Sequence, residues 1–340
     1  MRIDSYIKGD IFKFKNHYLD LNRWLERGRW IFAKFLDEDW SYLTFLKRAL
    51  RKMEGRTVLL SFSGGKDSIA SLIVLDKLKD IMRFELKVFY VYMPFLEPLY
   101  NLKFVDKVSN KMGIKIEILT PPKKMVKKRL LKDGLPYRRA RWCTYLKSRP
   151  LRDLLRRKIV DLMAVGDRIW EAGKRFRRLA FKVLKDRLSE GKKVYPVAPL
   201  TIVDIISLVR KTGLIHPDYL NGAIRVSCYY CPYKPIYELY LLKPDVEDLG
   251  LIEEVMRREY KKWYSRYCNF EEFRRYALWR FTPSVAASFL RGKRFIEDKE
   301  EEIIDLKHIE EMNSYPWLNE VKAPILSLNS MKLLLKSLIG

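Results

Sequence analysis

The run Val58-Leu59-Leu60-Ser61-Phe62 passes through Ser63-Gly64-Gly65-Lys66-Asp67-Ser68 directly into a helical pattern, and no other stretch restricts the fold of this chain so tightly. An apolar segment of strand length, two adjacent glycines and an immediate helix describe a strand whose carboxyl end turns sharply into a helix amino terminus. Adjacent glycines allow the turn and let a ligand approach the backbone without a Cβ in the way. The first amides of the helix then converge on one spot, where the helix dipole favours negative charge. Ser63 and Ser68 add hydroxyl donors and Lys66 a mobile cation. The segment therefore reads as a site for phosphate, pyrophosphate or sulfate. The spacings G-x-x-x-x-G-K-[ST] and G-x-G-x-x-G are absent, which excludes the commoner phosphate loops.

From Thr57 onward the pattern predicts strands at 58–62, 86–92, 115–119, 161–165 and 194–197, with helices such as 68–79 and 98–112 between them. Short, nearly continuous apolar strands alternating with helices predict an α/β fold: a parallel sheet with helices on both faces. Ligands in such sheets sit at the carboxyl ends of the strands, beside a topological switch point. Three domains are expected. Residues 1–54, with Trp24, Trp30, Phe32, Phe35, Trp40 and Phe45 at roughly helical spacing, form a helical N-terminal lead-in whose aromatics serve the core. Residues 55–235 form the nucleotide-binding domain. Residues 236–340 form a mostly helical C-terminal domain, with helical patterns at 246–267 and 270–279. The acidic run 297–305 reads as a solvated helix face. No run reaches bilayer length and the first residues lack a signal-peptide pattern, so a cytoplasmic protein without membrane association is expected.

The string SGGKDS resembles the PP-loop of the ATP pyrophosphatases, or adenine nucleotide alpha-hydrolases. That resemblance implies that Ser61, Ser63, Gly64, Gly65, Lys66, Asp67 and Ser68 hold the pyrophosphate of ATP while its α-phosphorus is attacked, with Mg²⁺ screening the phosphates. A second segment, Gly166-Asp167-Arg168-Ile169-Trp170-Glu171-Ala172-Gly173-Lys174-Arg175, follows the expected strand 161–165. Arg168 is suited to grip a phosphate or sulfate bidentately, and Glu171 to orient it or to accept from a ribose or base. This segment resembles the G-x-R-x-x-E-S-x-x-R pattern of the phosphoadenosine phosphosulfate (PAPS) reductase branch. It implies nucleotide contacts from Gly166, Arg168, Glu171 and Arg175. Ala172 replaces the family's serine and removes one hydroxyl. Asp204, Pro217, Tyr219, Gly222 and Arg225 fit a third part of the pattern. The tryptophan often found after the aspartate is missing, since Ile205 and Ile206 stand there. The resemblance runs from about Thr57 to Tyr233.

The four cysteines are Cys143, Cys228, Cys231 and Cys268. Cys228 and Cys231 form a C-x-x-C followed by proline, and Arg141-Trp142-Cys143 opens a basic helix. Thiolates are soft ligands suited to zinc or an iron–sulfur cluster. The family resemblance implies a [4Fe–4S] cluster on all four cysteines, or on three with one iron open to carry a sulfide. A four-thiolate zinc site is the alternative, and unligated or redox thiols a further one. With only three histidines, a His-rich metal site or a His-centred hydrolase is excluded.

Sixty-eight Lys and Arg against 42 Asp and Glu leave a net charge of +26. An ion-paired, heat-tolerant surface accounts for many charges but not for so large an excess of one sign. The excess calls for a polyanionic partner, a nucleic acid, with tRNA preferred over DNA. Basic residues concentrate from Lys123 to Arg178 and would guide it in.

The expected function is that of a PAPS reductase-like sulfurtransferase that binds ATP, adenylates a nucleic acid with release of pyrophosphate, and takes sulfur from a donor. Lys66 and Arg168 would balance developing charge and Asp67 would help place Mg²⁺. One rival is a sulfonucleotide reductase, which needs a free nucleophilic thiol. No cysteine follows Cys268 to supply the family's usual C-terminal nucleophile. The other rival is a non-catalytic nucleotide- and metal-binding module.

Overall fold

The computed structural model describes residues 41–297, 305–321 and 325–339, together with residues 34, 35 and 323 and the short strands β1 (Ile7–Lys8), β2 (Ile11–Phe14) and β3 (His17–Asp20). A six-stranded sheet carries the fold. Its strands are β4 (Thr57–Phe62), β5 (Glu85–Val91), β6 (Ile116–Leu119), β7 (Leu162–Ala164), β8 (Ser189–Glu190) and β9 (Lys193–Val194). They lie in the order β6-β5-β4-β7-β9-β8, all parallel except β8, which pairs antiparallel with β9 at one edge. Each expected strand is present. The last is shorter than 194–197, because Pro196 and Pro199 donate no backbone hydrogen bond and the chain turns away there.

The order explains the sequence. From β4 the chain proceeds outward through β5 and β6, then returns to the other side of β4 with β7. The reversal opens a crevice at the carboxyl ends of β4 and β7, and the two motif loops emerge there. Both faces of the sheet are buried, which is why β4 reads as a continuous apolar run. Val58, Leu60 and Phe62 enter one core together with the helices Lys66–Leu78 and Ile202–Thr212. Leu59 and Phe89 face the other way, onto Leu151 of the helix Trp142–Arg156.

The start of the chain, where it is described, folds differently from expectation. Residues 7–8, 11–14 and 17–20 form a three-stranded antiparallel sheet, not helix. Two-residue gaps separate these segments, and residues 11–14 and 17–20 are rich in aromatic and aliphatic residues, a hairpin signature that the helical reading overlooked. Trp24, Trp30, Phe32 and Trp40 lie outside the described residues, as do residues 298–304 of the acidic run. The helix Ser41–Ala49 is present, and Phe35 and Phe45 are buried in the main core as expected.

Divisions at 54 and 235 do not separate cores. Met331 and Leu335 of the helix Leu328–Ile339 return to the core of the sheet, as does Trp317. A second core joins Met93, Val126, Leu130 and Tyr229 to Leu251, Val255, Phe273 and Trp279 of the C-terminal helices. Among the described residues no strand follows Val194, and no helix is long and apolar enough to cross a membrane.

Candidate active site

Gly64, with φ +73°, occupies the left-handed region that a turn from β4 into the helix Lys66–Leu78 requires. The two serines of the loop brace it. Ser68 Oγ accepts from Ser63 N at 3.2 Å and from Ser63 Oγ at 3.1 Å, and donates to Gly65 O at 2.8 Å. Ser63 Oγ in turn accepts from Gly65 N at 3.4 Å. The hydroxyls expected to meet the ligand thus first hold the loop in shape. No side chain of the loop caps the helix. Instead Tyr219, fully buried and stacked on Trp317 at 4.4 Å, accepts from Lys66 N at 2.9 Å through its hydroxyl.

The second loop touches the first. A Cβ on Gly166 would lie 3.0 Å from Asp67 O, so this glycine permits the close approach of the two backbones. Across the contact Arg168, only 4% exposed, donates from Nε to Asp67 Oδ1 at 2.6 Å. Lys66 Nζ lies 3.2 Å from Asp67 Oδ2. The two cations expected to meet a phosphate therefore share one carboxylate. Glu171 orients the second loop by accepting Arg168 N at 3.0 Å and by pairing with Arg175. Arg175 also reaches Asp167 at 3.2 Å. Ala172 stands at the amino terminus of the helix Gly173–Leu184 and gives it no side-chain cap, which is what loss of the family's serine costs. Ser61 lies within β4, in register with Phe89. The structure thus assembles both motif loops into one crevice.

Beside the crevice runs a buried polar chain. His216, with no exposure, packs 3.7 Å from the position of a Cβ on Gly64. Its Nδ1 accepts from Asp218 N at 3.1 Å, so the proton sits on Nε2, which donates to Asn101 Oδ1 at 3.1 Å. Burial, with Lys234 adding to it, pushes the imidazole down to about 3. Asp218 Oδ1 lies 3.6 Å from Nδ1 but makes no ion pair with this neutral ring; it accepts from Tyr100 Oη at 2.7 Å instead. Burial pushes the Asp218 carboxyl up. Asn101 Nδ2 donates to Glu97 Oε1 at 3.1 Å, so the chain continues to Glu97.

Glu97 is 2% exposed and collects donors from four directions: Tyr90 Oη, Asn101 Nδ2, Met93 N at 3.1 Å and Lys147 Nζ at 2.6 Å. It also faces the thiols. Cys228 Sγ lies 3.8 Å from Glu97 Oε2, and the Glu97 loop holds the C-x-x-C turn through Tyr229 N to Leu96 O at 2.9 Å. Cys143, Cys228 and Cys231 lie near enough for their charges to interact. Burial pushes the Cys228 thiol up to about 12 despite the Lys147 ammonium beside it. Arg225 reaches Cys231 Sγ at 3.8 Å. Cys268 is not brought to this group. Its thiol meets Tyr264 O at 3.7 Å, and its charged neighbours are Glu272 and Arg294. Among the described residues no group of three or more Cys, His, Asp or Glu side chains is placed so that it could hold a metal ion.

Sequence reasoning missed Glu97, Asn101, Lys147 and His216. One signal was available for Glu97: a lone carboxylate in the apolar stretch Met93–Leu99, bracketed by Pro94 and Pro98. Buried charge in such a loop requires partners. Lys147 stands four residues after Cys143 on one helix, hence on the same face.

Two relatives come from Methanocaldococcus jannaschii. The uncharacterized protein MJ0973 is 26% identical over 62% of this chain and 53% of its own length. The uncharacterized protein MJ0066 is 29% identical over 64% of this chain and 44% of its own. The chain thus spans about half the length of the curated relatives it matches. Among solved structures, the U34-tRNA thiolase NcsA of Methanococcus maripaludis, with its [4Fe–4S] cluster, is 14% identical with a TM-score of 0.38, covering 64% of this chain and 79% of its own. The NH3-dependent NAD synthetase of Campylobacter jejuni is 16% identical with a TM-score of 0.35, covering 66% and 95%. At these scores no chemistry transfers. Residues 57–234, just over half of the chain, match the family described as the phosphoadenosine phosphosulfate reductase domain. That span begins at β4, holds both crevice loops and ends just past the C-x-x-C turn: the chain belongs to the phosphoadenosine phosphosulfate reductase domain family.

Proposed function

We propose that the crevice binds ATP and that the protein is a sulfurtransferase of the ATP pyrophosphatase type acting on a nucleic acid. The observation that carries this reading is the contact between the two loops, where Lys66 and Arg168 converge on Asp67 at the switch point of the sheet. A polyphosphate entering between them competes with Asp67 for both cations, and a divalent ion such as Mg²⁺ competes with the cations for Asp67. The free state thus holds the site's charges in balance and a metal–nucleotide complex exchanges each for a better partner. The amides of Gly64 to Ser68 take the pyrophosphate. A nucleic-acid oxygen attacks the α-phosphorus, the bond to the β-phosphate oxygen breaks, and pyrophosphate leaves with its charge on Lys66 and Arg168. A sulfur donor then displaces AMP from the adenylated nucleic acid. Positioning and charge stabilisation do the work.

Cys143, Cys228 and Cys231 are the thiols that would hold an iron–sulfur cluster, drawn together on binding, since as they stand they form no group that could hold a metal ion. The donors are soft and their charges interact, whereas a four-thiolate zinc site lacks its fourth ligand because Cys268 has other neighbours. When bound, such a cluster supplies an open iron position for sulfur. Lys147 and Glu97 fix the thiols from the side of the sheet.

A second reading is sulfonucleotide reduction, favoured by the family's name and by Cys268 lying outside the thiol set. Burial and the Tyr264 carbonyl make that thiol a weak nucleophile, and burial pushes its pKa up. Pyrophosphate release from ATP by anaerobically purified protein separates the readings. Release that rises with added bulk tRNA supports adenylation. No release, with sulfite formed from PAPS and a thiol reductant, overturns it.

A further inference from the structure

The helix Lys123–Asp133 of the basic segment packs against the helix Leu249–Glu259, which continues as the π-helix Tyr260–Tyr264. Between them lies a surface cavity of about 410 Å³ whose lining includes Lys132, Arg258, Lys261, Lys262 and Trp263. A π-turn widens the helix and often marks a functional place. Here Tyr264 turns into the second core, and Trp263 stands 52% exposed. Among the described residues it is the one exposed tryptophan. Lys262 Nζ lies 4.9 Å from its ring centroid.

The charge at this cavity is one-sided. Lys132, Lys261 and Lys262 have no carboxylate within 4.0 Å among the described residues, and Arg258 meets only Glu254 at 4.0 Å. Two acids line the cavity, and neither opposes an anion. Asp133 is taken by Arg129 at 2.7 Å. Glu259 accepts Leu135 N at 3.2 Å, and burial pushes it up to about 8, so it is mostly neutral at pH 7. The wall of the cavity also touches the helix that carries Cys143. Trp142 Nε1 donates to Gly134 O at 3.2 Å in its wall, and the next residue, Cys143, belongs to the thiol set.

We infer that this cavity is a docking surface for an unpaired segment of RNA, with one base stacked on Trp263 and the flanking phosphates on Lys132, Lys261 and Lys262. The inference rests on the nucleic-acid reading above and names the surface that serves it. An exposed indole offers a face to a base only if that base is unstacked, and alternating aromatic and cationic groups are how single strands are held. Unpaired loops belong to folded RNA, whereas DNA is duplex unless opened.

Fluorescence anisotropy of a labelled RNA hairpin with an unpaired loop tests this on the full chain. Paired RNA and single-stranded DNA of the same sequence serve as comparisons. Trp263→Ala is expected to weaken loop RNA about tenfold and leave paired RNA unchanged, while Trp263→Phe stays within about threefold. Reversing two charges with Lys261→Glu and Lys262→Glu weakens all nucleic acids and flattens the salt dependence. ATP affinity unchanged in each variant shows that the fold is intact. If wild-type protein binds loop RNA and Trp263→Ala binds it equally, the surface is wrong while the nucleic-acid reading stands. If wild-type protein binds no nucleic acid, that reading fails and takes this one with it. Preference for single-stranded DNA overturns the choice of RNA.

Discussion

Lowering the pH from 7 to 5 challenges the buried chain beside the Gly64–Gly65 loop through His216. The folded imidazole is pushed down to about 3, because it is buried and because the Lys234 ammonium lies near it. In the unfolded chain it returns to about 6.5. Below that value the unfolded state binds a proton that the folded state refuses. Stability is therefore full above pH 6.5 and is lost as pH falls, until the folded imidazole itself protonates near 3. At pH 5 the deficit is one and a half pH units at about 1.36 kcal/mol each, or about 2 kcal/mol. The control is His216→Asn, whose Oδ1 can still accept from Asp218 N while nothing titrates. Urea unfolding at the two pH values is the assay. Wild-type protein is expected to lose about 2 kcal/mol more than the variant between pH 7 and 5. Equal losses, or a His216 titration near 6.5 by NMR, would refute the neutral, acceptor-bound imidazole.

Gly166→Ala places a Cβ 3.0 Å from Asp67 O and pushes the two loops apart; ATP affinity by calorimetry is expected to fall at least about tenfold, and an unchanged affinity contradicts the shared site. Asp67→Asn leaves Arg168, 4% exposed, without its carboxylate; the free protein is expected to lose about 3 kcal/mol, at the lower end for a buried pair because Asp67 is partly exposed, and an unshifted melting curve contradicts this. Single Cys143→Ala, Cys228→Ala and Cys231→Ala exchanges are expected to abolish bound iron in anaerobic preparations, while Cys268→Ala retains it; iron loss in all four variants restores the four-cysteine set.

The sheet and the two crevice loops were legible because each rests on local signals. Val58 to Phe62 is apolar on both faces because both faces are covered, and the glycines of the two loops stand where backbone must turn or touch. The family pattern located Tyr219, but not its use: a phenol that satisfies Lys66 N from a hundred and fifty-three residues away leaves no local trace. The Glu97–Asn101–His216 chain stayed hidden for the same reason, since each member takes its partners from a different element. Separation of Cys268 from the other thiols is likewise tertiary. Counting cysteines gives the number of possible ligands, and only packing tells which of them meet. The hairpin strands within residues 7–20 were missed because aromatic spacing later in the lead-in suggested one helical period for the whole segment.

Adenylation is the central claim, and its most direct measurement follows the α-phosphate. Protein purified without oxygen is mixed with ATP labelled at the α-phosphate and bulk tRNA, with no sulfur donor present. The account predicts that label accumulates on the tRNA as pyrophosphate is released, and that Lys66→Ala and Arg168→Ala lose both signals. Label that stays in ATP, while PAPS is reduced to sulfite by the same protein, would contradict it.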